Sequence, residues 1–432
     1  MDTDGAMDTK AGAQQAWTQV ACPGCACVCD DITLQFEAGK LSHFEPACDL
    51  GRQWFQTHAA DVDSPAQIAG NAAALDEAID RAADILQQAD YPLVFGLSRS
   101  ATAGQRAAVD LAEQLGAAID TTASLCHGPS IMALQEMGEV TCTLGEIKNR
   151  ADLVIFWGCH PGASHPRHAE RYSVSAVGKL VPRGRADRTV VMVGDASQVH
   201  DWRLDPAGAT PDLVVPIAPG EDFEALAMLQ LMLDGQQVDE AADELRQLFE
   251  LMRGCRYGVV FFGLGIAETS MWDGLPHQQI GHINVAALLK LVANLNSLTR
   301  FTARRMRLQG DVSGADSVMQ WQTSYPFAVD LSRGYPRYNP GEYTANELLT
   351  QQDVDACLLL GAETVRYFCD AAREQLQRIP TIIIDYPGAE PAFTPTVRIT
   401  TSVYGLHTHG TVYRMDTVPI TLTATLASEL PT

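Results

Sequence analysis

The chain has 432 residues, a length suited to about three domains or one large α/β body. Apolar residues make up 46% and charged residues 19%, a composition that excludes a disordered or collagen-like chain. With 30 Lys and Arg against 53 Asp and Glu, the net charge of -23 argues against a nucleic-acid-binding protein, because phosphate contacts need a basic surface.

Residues 1–20 are predicted to form a polar leader. This segment lacks the apolar run and the small-residue cleavage site of a signal peptide. No apolar run in the chain reaches the roughly 18 residues that a membrane span requires. We therefore expect a cytoplasmic protein without a membrane span, in which crowded cysteines bind metal more often than they form disulfides.

Residues 21–65 are predicted to form a small Cys-rich β domain. The alternation of apolar and polar residues from Ile32 to Phe36, followed by a turn at Gly39, predicts a β-hairpin. Four cysteines surround this hairpin in the sequence: Cys22, Cys25, Cys29 and Cys48. They suit a 4Fe-4S cluster, in which each thiolate holds one iron, and Cys27 is left over. A structural zinc site and a metal-free site are the alternatives.

From residue 66 the chain has the pattern of a doubly wound α/β fold with parallel sheets. We expect two halves, at 66–220 and 221–400, with a break near Pro219–Asp222. A helix is predicted from Leu75 to Leu86. Six apolar runs without polar alternation are predicted to be buried parallel strands: Leu93–Gly96, Leu153–Gly158, Val190–Gly194, Gly258–Gly263, Cys357–Gly361 and Ile382–Asp385. Ligands are expected in the loops that follow such strands.

Two loops of the first half carry candidate site residues. Cys126 and His127 precede a helical pattern, where the helix dipole favours a thiolate and the imidazole can move a proton, which suits a metal ligand beside an acid or base. The small residues after the strand at 153–158 can hold a phosphate, with Arg167 adding charge. The candidate cofactor-binding residues of this loop are Gly158, His160, Pro161, His165, Pro166 and Arg167.

A dense basic patch occurs late in the chain, at Arg304, Arg305 and Arg307. In solvent it would be a charged face, whereas facing a cleft it would hold a carboxylate or a phosphate. The cysteines not yet mentioned lie in apolar surroundings and are predicted to be small buried side chains: Cys142, Cys159, Cys255, Cys357 and Cys369.

Motifs along nearly the whole chain resemble the B subunit of formylmethanofuran dehydrogenase, a member of the wider molybdopterin oxidoreductase family. These motifs are CPGCACVCDDI at 22–32, ACDLG at 47–51, CHGPS at 126–130, TLGEIKNRAD at 143–152, HPRH at 165–168, SRGYPRYNPGE at 332–342 and GTVYRMD at 410–416. Because so many long matches occur in order, the resemblance is specific.

The resemblance implies a redox enzyme that is active only within a complex. The four cysteines would bind a 4Fe-4S cluster, and Cys126 would ligate tungsten or molybdenum held by two pyranopterin guanine dinucleotides. His127 and Arg307 would flank the site where carbon dioxide and formate interconvert. Formate would pass to a hydrolase-like A subunit, which joins it to a furan one-carbon carrier, and the C and D subunits would complete the assembly. Residues 401–432 would form a tail without the pterin-capping barrel, which a separate subunit would supply.

A related formyltransferase/hydrolase complex of methylotrophic bacteria, built from homologous subunits, offers a second interpretation without redox chemistry. Three departures from the dehydrogenase pattern favour it. The expected His is missing from 308–311, and His160 replaces an Asn. The stretch 194–197 replaces the usual Asp-Pro-Arg, and Asp195 is its candidate cofactor-binding residue. Lost arginine contacts weaken phosphate binding. The intact cysteines, with Cys126 and His127, favour the dehydrogenase subunit over this redox-inactive scaffold. A module that binds the furan carrier itself is a third hypothesis.

Overall fold

The computed structural model describes residues 16–46, 48–267, 281–307 and 310–432. Most of the expected leader and positions 308 and 309 of the altered stretch therefore lie outside the described residues. The strands are β1 (Ala16–Cys22), β2 (Cys29–Glu37), β3 (Lys40–Glu45), β4 (Ala66–Ile68), β5 (Asn71–Ala72), β6 (Pro92–Gly96), β7 (Ala118–Thr121), β8 (Leu153–Trp157), β9 (Thr189–Asp195), β10 (Leu213–Ile217), β11 (Tyr257–Phe262), β12 (Arg300–Arg305), β13 (Val329–Asp330), β14 (Arg337–Tyr338), β15 (Ala356–Leu360), β16 (Thr381–Asp385), β17 (Val397–Thr400), β18 (Gly410–Tyr413) and β19 (Pro419–Leu422).

Helices cover the faces of the sheets and connect most of the parallel strands. They are α1 (Asp49–His58), α2 (Leu75–Gln88), α3 (Thr102–Leu115), α4 (Gly128–Met137), α5 (Leu144–Arg150), α6 (Pro161–Ser164), α7 (Asp222–Leu233), α8 (Asp243–Gly254), α9 (Leu264–Ala267), α10 (Gly281–Leu295), α11 (Val312–Thr323), α12 (Ala345–Gln351) and α13 (Asp370–Arg378). The helix predicted from Leu75 is confirmed as α2. None of the described helices has the length and apolar character needed to cross a membrane.

The N-terminal module is a three-stranded antiparallel sheet in the order β1-β2-β3. The predicted hairpin is confirmed, because β2 pairs with β3 and Leu34 lies opposite Phe44. Both side chains are fully buried, as the alternating pattern requires. The module's first strand, β1, already includes Ala16, five residues before the predicted boundary at residue 21. The two-stranded sheet of β18 and β19 packs against it through β1.

Two larger sheets form the α/β body, and the fold class is the one expected. The five-stranded sheet has the parallel order β10-β9-β8-β11-β12. The nine-stranded sheet has the order β14-β13-β7-β6-β15-β16-β17-β4-β5, parallel from β7 to β17 and antiparallel at both edges. All six predicted strands are present. The strand β8 is buried on both faces, with Val154 and Phe156 in one apolar cluster and Ile155 and Trp157 in another.

The predicted division into halves at 219–222 is wrong. The strands β11 and β12 follow that point in the chain but join β8 in the five-stranded sheet. The strands of the five-stranded sheet come from one continuous stretch, 153–305, while the nine-stranded sheet takes its strands from before and after this stretch, at 66–121 and 329–400. Similar apolar runs can pair in many orders, so strand sequence alone did not identify the neighbours.

Candidate functional site

The N-terminal cysteines form a buried group at one end of the three-stranded sheet. Cys22 ends β1 and Cys29 begins β2, while Cys25 and Cys27 lie in the turn between these strands. These four are buried, whereas Cys48, the residue before α1, is half-buried. No disulfide joins them. We refer to these five residues as the cysteine group.

The thiols of this group influence one another's charge. Burial raises the pKa of Cys22 well above its usual value, and Cys29, Cys25 and Cys48 raise it further. A hydrogen bond with the Cys27 side chain is the main reason that the pKa of Cys25 is lowered. The backbone N–H of Gly24 donates to the sulfur of Cys22 at 3.4 Å, a contact that favours a thiolate.

This donor set fits a 4Fe-4S cluster. Four convergent thiols with a backbone N–H···S bond provide one thiolate for each of four irons. Among the residues that the structure describes, no three His, Cys, Asp or Glu side chains are arranged to hold a single metal ion. A zinc ion, which needs all of its ligands on one centre, stays the alternative.

Arg167 lies beside the cysteine group, where acidic side chains bind it, and is not among the described lining residues of the cavity at Gly158. Its Nη1 and Nη2 each donate to a carboxylate oxygen of Asp31 at 2.8 Å, and its Nε donates to Glu170 at 2.6 Å. The helix α6 ends at Ser164, after only four residues. The chain therefore turns towards the cysteine group before Arg167 is reached.

Cys126 lies on a cavity of about 880 Å³, including its open mouth, where the loops after the parallel strands of both sheets meet. Ser98 follows β6, Ser164 follows β8 and Leu264 follows β11, which confirms that such loops form a cavity. Leu50, two residues after Cys48, lines the same cavity. One wall of the cavity thus belongs to the helix that begins at the cysteine group.

The turn that carries Cys126 is fixed by a buried carboxylate. Asp120 lies in β7, which is buried along its whole length, and burial raises its pKa to about 7. Its oxygens accept hydrogen bonds at 2.6 to 3.0 Å from the N–H groups of Thr121, Ala328 and Ala345 and the hydroxyl of Ser124. The single turn of 3-10 helix at Thr122–Leu125 then brings Cys126 to the start of α4. Here the predicted thiol at a helix start is confirmed.

His127 is a buried, neutral imidazole next to this turn. Burial lowers its pKa well below the usual value, and the charges of Arg307 and Arg305 lower it further. Within the described ranges, neither ring nitrogen has a hydrogen-bond partner. A neutral imidazole with an available nitrogen can accept a proton or a hydrogen bond.

The basic patch lies inside the protein, and each of its arginines has an internal partner. Arg307 Nη1 contacts Asp316 at 2.5 Å, and Arg305 Nη2 contacts Glu139 at 3.0 Å. Arg304 Nη1 donates to the hydroxyl of Thr141 at 2.6 Å. The patch is therefore not a solvated face.

The predicted phosphate loop lines a second cavity, of about 740 Å³, at the end of the five-stranded sheet. Gly158 has a φ of +59°, and an added Cβ would lie 2.7 Å from the backbone nitrogen of Ile266. Asp195 and Asp222 also line this cavity, whereas no Lys or Arg is found among its described lining residues. Two carboxylates suit hydrogen-bond donors, so the cavity fits a phosphate poorly.

The other candidate residues of this loop shape the backbone. His165 is fully buried; its Nε2 is 2.5 Å from the carbonyl oxygen of Arg307, and its Nδ1 is 2.8 Å from the hydroxyl of Ser164. His160 stacks on Trp202. Pro161 is buried at the start of α6, and Pro166 is half-buried in the turn that follows it. The structure thus places Gly158 and Asp195 on one cavity, whereas His160 and His165 make contacts within the fold.

An ion pair in the wall of the Cys126 cavity was not predicted from the sequence. Arg99 contacts Glu363, and both side chains line the cavity. Each residue comes shortly after a predicted strand, the first after Gly96 and the second after Gly361. A search for charged residues in the strand-following loops would have found them.

Comparisons with known proteins place the chain in a family. The B subunit of the tungsten-containing formylmethanofuran dehydrogenase 2 of Methanocaldococcus jannaschii is 36% identical over 421 residues, which cover 93% of this chain and 92% of that protein. The corresponding protein of Methanococcus maripaludis is 31% identical over 94% of this chain and 93% of its own length. The chain belongs to the family of formylmethanofuran dehydrogenase B subunits. No family model matches it.

The chain is also similar to proteins of the formyltransferase/hydrolase complex. The B subunit of this Fhc complex from Methylorubrum extorquens is 26% identical over 307 residues, which cover 69% of this chain and 74% of that protein. The crystal structure of the FhcABCD complex with methylofuran matches with a TM-score of 0.69 and 23% identity, over 85% of this chain and 95% of that one. This likeness shows that this chain shares its fold with a chain of the FhcABCD complex.

Proposed function

We propose that this chain is the B subunit of a formylmethanofuran dehydrogenase-type complex that interconverts carbon dioxide and formate. One observation carries the proposal: the cavity at Cys126 is also lined by Leu50, from the helix that follows Cys48. Electrons held at the cysteine group would therefore have a short path to the cavity. The A, C and D subunits would complete the complex in the cytoplasm, where thiols stay reduced.

Each residue of the site has a proposed role. The four cysteines Cys22, Cys25, Cys29 and Cys48 would hold a 4Fe-4S cluster, and Cys126 would ligate tungsten or molybdenum. The metal–pterin group, when bound, would supply two-electron chemistry at the carbon of carbon dioxide or formate.

The polar residues near Cys126 would interact with the substrate through a hydrogen bond and a positive charge. The imidazole of His127, which burial and the arginines keep neutral, would accept a hydrogen bond, and the adjacent charge of Arg307 would favour an anion such as formate. The formyl group would then reach, or come from, a furan one-carbon carrier on the hydrolase-like A subunit.

A second function is favoured by the cavity at Gly158. This cavity is lined by the carboxylates of Asp195 and Asp222, and Arg167 is bound to Asp31 instead. The expected dinucleotide site therefore has no Lys or Arg among its described lining residues. In this alternative the chain is a redox-inactive scaffold of a formyltransferase/hydrolase complex, which releases formate from a formylated furan carrier.

Metal content and acceptor dependence together separate the two functions. The complex is purified without oxygen, and its iron, tungsten and molybdenum are measured by mass spectrometry. Formate turnover is then assayed with and without an artificial electron acceptor or donor. A redox subunit requires iron, one of the two heavy metals and dependence on the acceptor or donor. Formate release without either heavy metal and without an acceptor would overturn the proposal in favour of the scaffold.

A further inference from the structure

Two arginines of the segment after α6 contact the start of β2, which begins at Cys29 of the cysteine group. Arg167 binds both carboxylate oxygens of Asp31, and its side chain is only 8% exposed. Arg171 contacts Asp30 at 2.6 Å and also contacts Asp31. These two aspartates come directly after Cys29. Two cations and two carboxylates are therefore fixed beside the proposed cluster ligands.

The arginine charges act on several thiols in the same direction. Burial and Cys25 raise the pKa of Cys29 to about 12, while Arg171 and Arg167 oppose this rise. Arg167 also acts to lower the pKa of Cys48, against the stronger effect of burial. Asp31 has the opposite sign and raises the pKa of Cys29. The group thus lies in a local field to which the arginines and Asp31 contribute with opposite signs.

A field of this kind changes how easily bound iron accepts an electron. Reduction adds one electron, and so one negative charge, to a cluster that the thiolates hold. A nearby cation stabilises the reduced form more than the oxidised form, whereas a nearby anion does the reverse. The Arg167 and Arg171 side chains are only 8% and 15% exposed, whereas Asp31 and Asp30 are 41% and 49% exposed, so salt screens the arginine charges less than those of the aspartates.

We propose that Arg167 and Arg171 are positioning residues that raise the reduction potential of the iron–sulfur cluster, and that Asp31 limits this rise. The inference rests on the proposed function, since it requires a cluster on the cysteine group. It gives the arginine of the HPRH motif a role in electron transfer instead of phosphate binding. If the two arginines only stabilised the start of β2, removing their charge would not shift the reduction potential in a direction that depends on the sign of the charge.

The test is a redox titration of the full chain, purified without oxygen and reconstituted with iron and sulfide. Dithionite supplies the electrons, dyes mediate, and electron paramagnetic resonance measures the reduced cluster. In Arg167→Gln the ratio of reduced to oxidised cluster at the wild-type midpoint should fall about tenfold, which is about 59 mV for one electron. Arg167→Lys keeps the charge and should recover most of this loss. Asp31→Asn should raise the same ratio.

Controls separate failure of the inference from failure of the proposed function. Arg337→Gln breaks an ion pair with Asp330 in another part of the fold, at the edge of the nine-stranded sheet, and should leave the midpoint unchanged. A cluster present with the same midpoint in Arg167→Gln and Asp31→Asn would overturn the inference alone. No cluster in the wild-type chain would overturn both proposals. If Arg167→Gln loses its iron, Asp31→Asn decides: a higher ratio supports the inference, and an unchanged or lower ratio overturns it.

Discussion

Cys126 and Cys255 are both half-buried thiols, but only Cys126 lines the cavity between the two sheets. Cys126→Ser replaces a soft sulfur by a hard oxygen, which binds tungsten or molybdenum weakly. We expect the interconversion of carbon dioxide and formate to fall by more than about 100-fold, because even substitutions around metal ligands cost about 10- to 100-fold. The free energy of unfolding should change by less than about 1 kcal/mol. Steady-state assays of the complex and urea unfolding measure the two quantities.

The matched variant is Cys255→Ser, which makes the same chemical change at the end of α8. Cys255 contacts the carbonyl oxygen of Met252 at 3.2 Å, away from the cavity. It should keep both the redox activity and the heavy-metal content of the complex. Full redox activity in Cys126→Ser would show that the thiol is not a ligand, whereas intact formate release without redox activity would favour the scaffold.

Single residues also mark where sequence reasoning succeeds. The spacing of the cysteines was enough to predict that Cys22, Cys25, Cys29 and Cys48 lie near one another, since a short turn and a hairpin connect them, whereas their role as cluster ligands stays a prediction. The contact of Arg167 could not be predicted in this way, because Asp31 is 136 positions away along the chain. Local pattern identifies a charged side chain, but only the folded chain identifies its partner.

At the scale of elements, His58 connects the end of α1 to the segment after β16. Its Nδ1 lies 2.6 Å from the carbonyl oxygen of Pro387, and its ring packs against Tyr386. Burial lowers the pKa of His58 from 6.5 to about 4. As pH falls below 6.5, the unfolded chain gains a proton that the folded chain does not accept. Stability from this residue is therefore present above pH 6.5 and is lost as pH falls towards about 4.

The variant His58→Gln removes this titration and can still donate to Pro387. Between pH 7 and pH 4 the wild-type free energy of unfolding should fall by about 3 kcal/mol more than that of the variant, at 1.36 kcal/mol for each unit of pKa. Urea unfolding at several pH values measures the difference. His200→Gln, which makes the same change at an exposed position, is the control. Parallel wild-type and His58→Gln curves would contradict the expectation.

Elements differ in how well their sequences predict them. The six strands with continuous apolar runs were predicted because burial on both faces leaves a strong pattern. The short edge strands β4, β5, β13 and β14 have two or three residues each, too few for a period to be visible. Strand order also could not be predicted, because the crossovers that place β11 beside β8 depend on packing across the whole body.

At the scale of the molecule, the predicted C-terminal tail connects three parts of the fold. The N–H of Met415 donates to the carbonyl oxygen of Ala26 at 2.9 Å, inside the cysteine turn. The N–H of Tyr413 donates to Asp311 at 2.8 Å, at the start of α11. The carboxylate of Asp416 accepts from the N–H of Leu144 at 2.7 Å, at the start of α5. The segment from 410 to 416 is thus a strap over the site, which its composition alone did not predict.

Asp416→Ala should loosen this strap and expose the cysteine turn. The Asp416 side chain is fully buried, so its loss leaves the Leu144 N–H and the Arg414 guanidinium without their acceptor, at a cost of about 3–5 kcal/mol. Hydrogen exchange by mass spectrometry should then be faster at 22–29 and 410–422. Asp239→Ala removes an exposed carboxylate bound to neighbouring Gln237 and should leave both segments protected. Unchanged exchange at 22–29 in Asp416→Ala would mean that the cysteine turn keeps its shape without the strap, because β1 and β2 alone suffice to hold it.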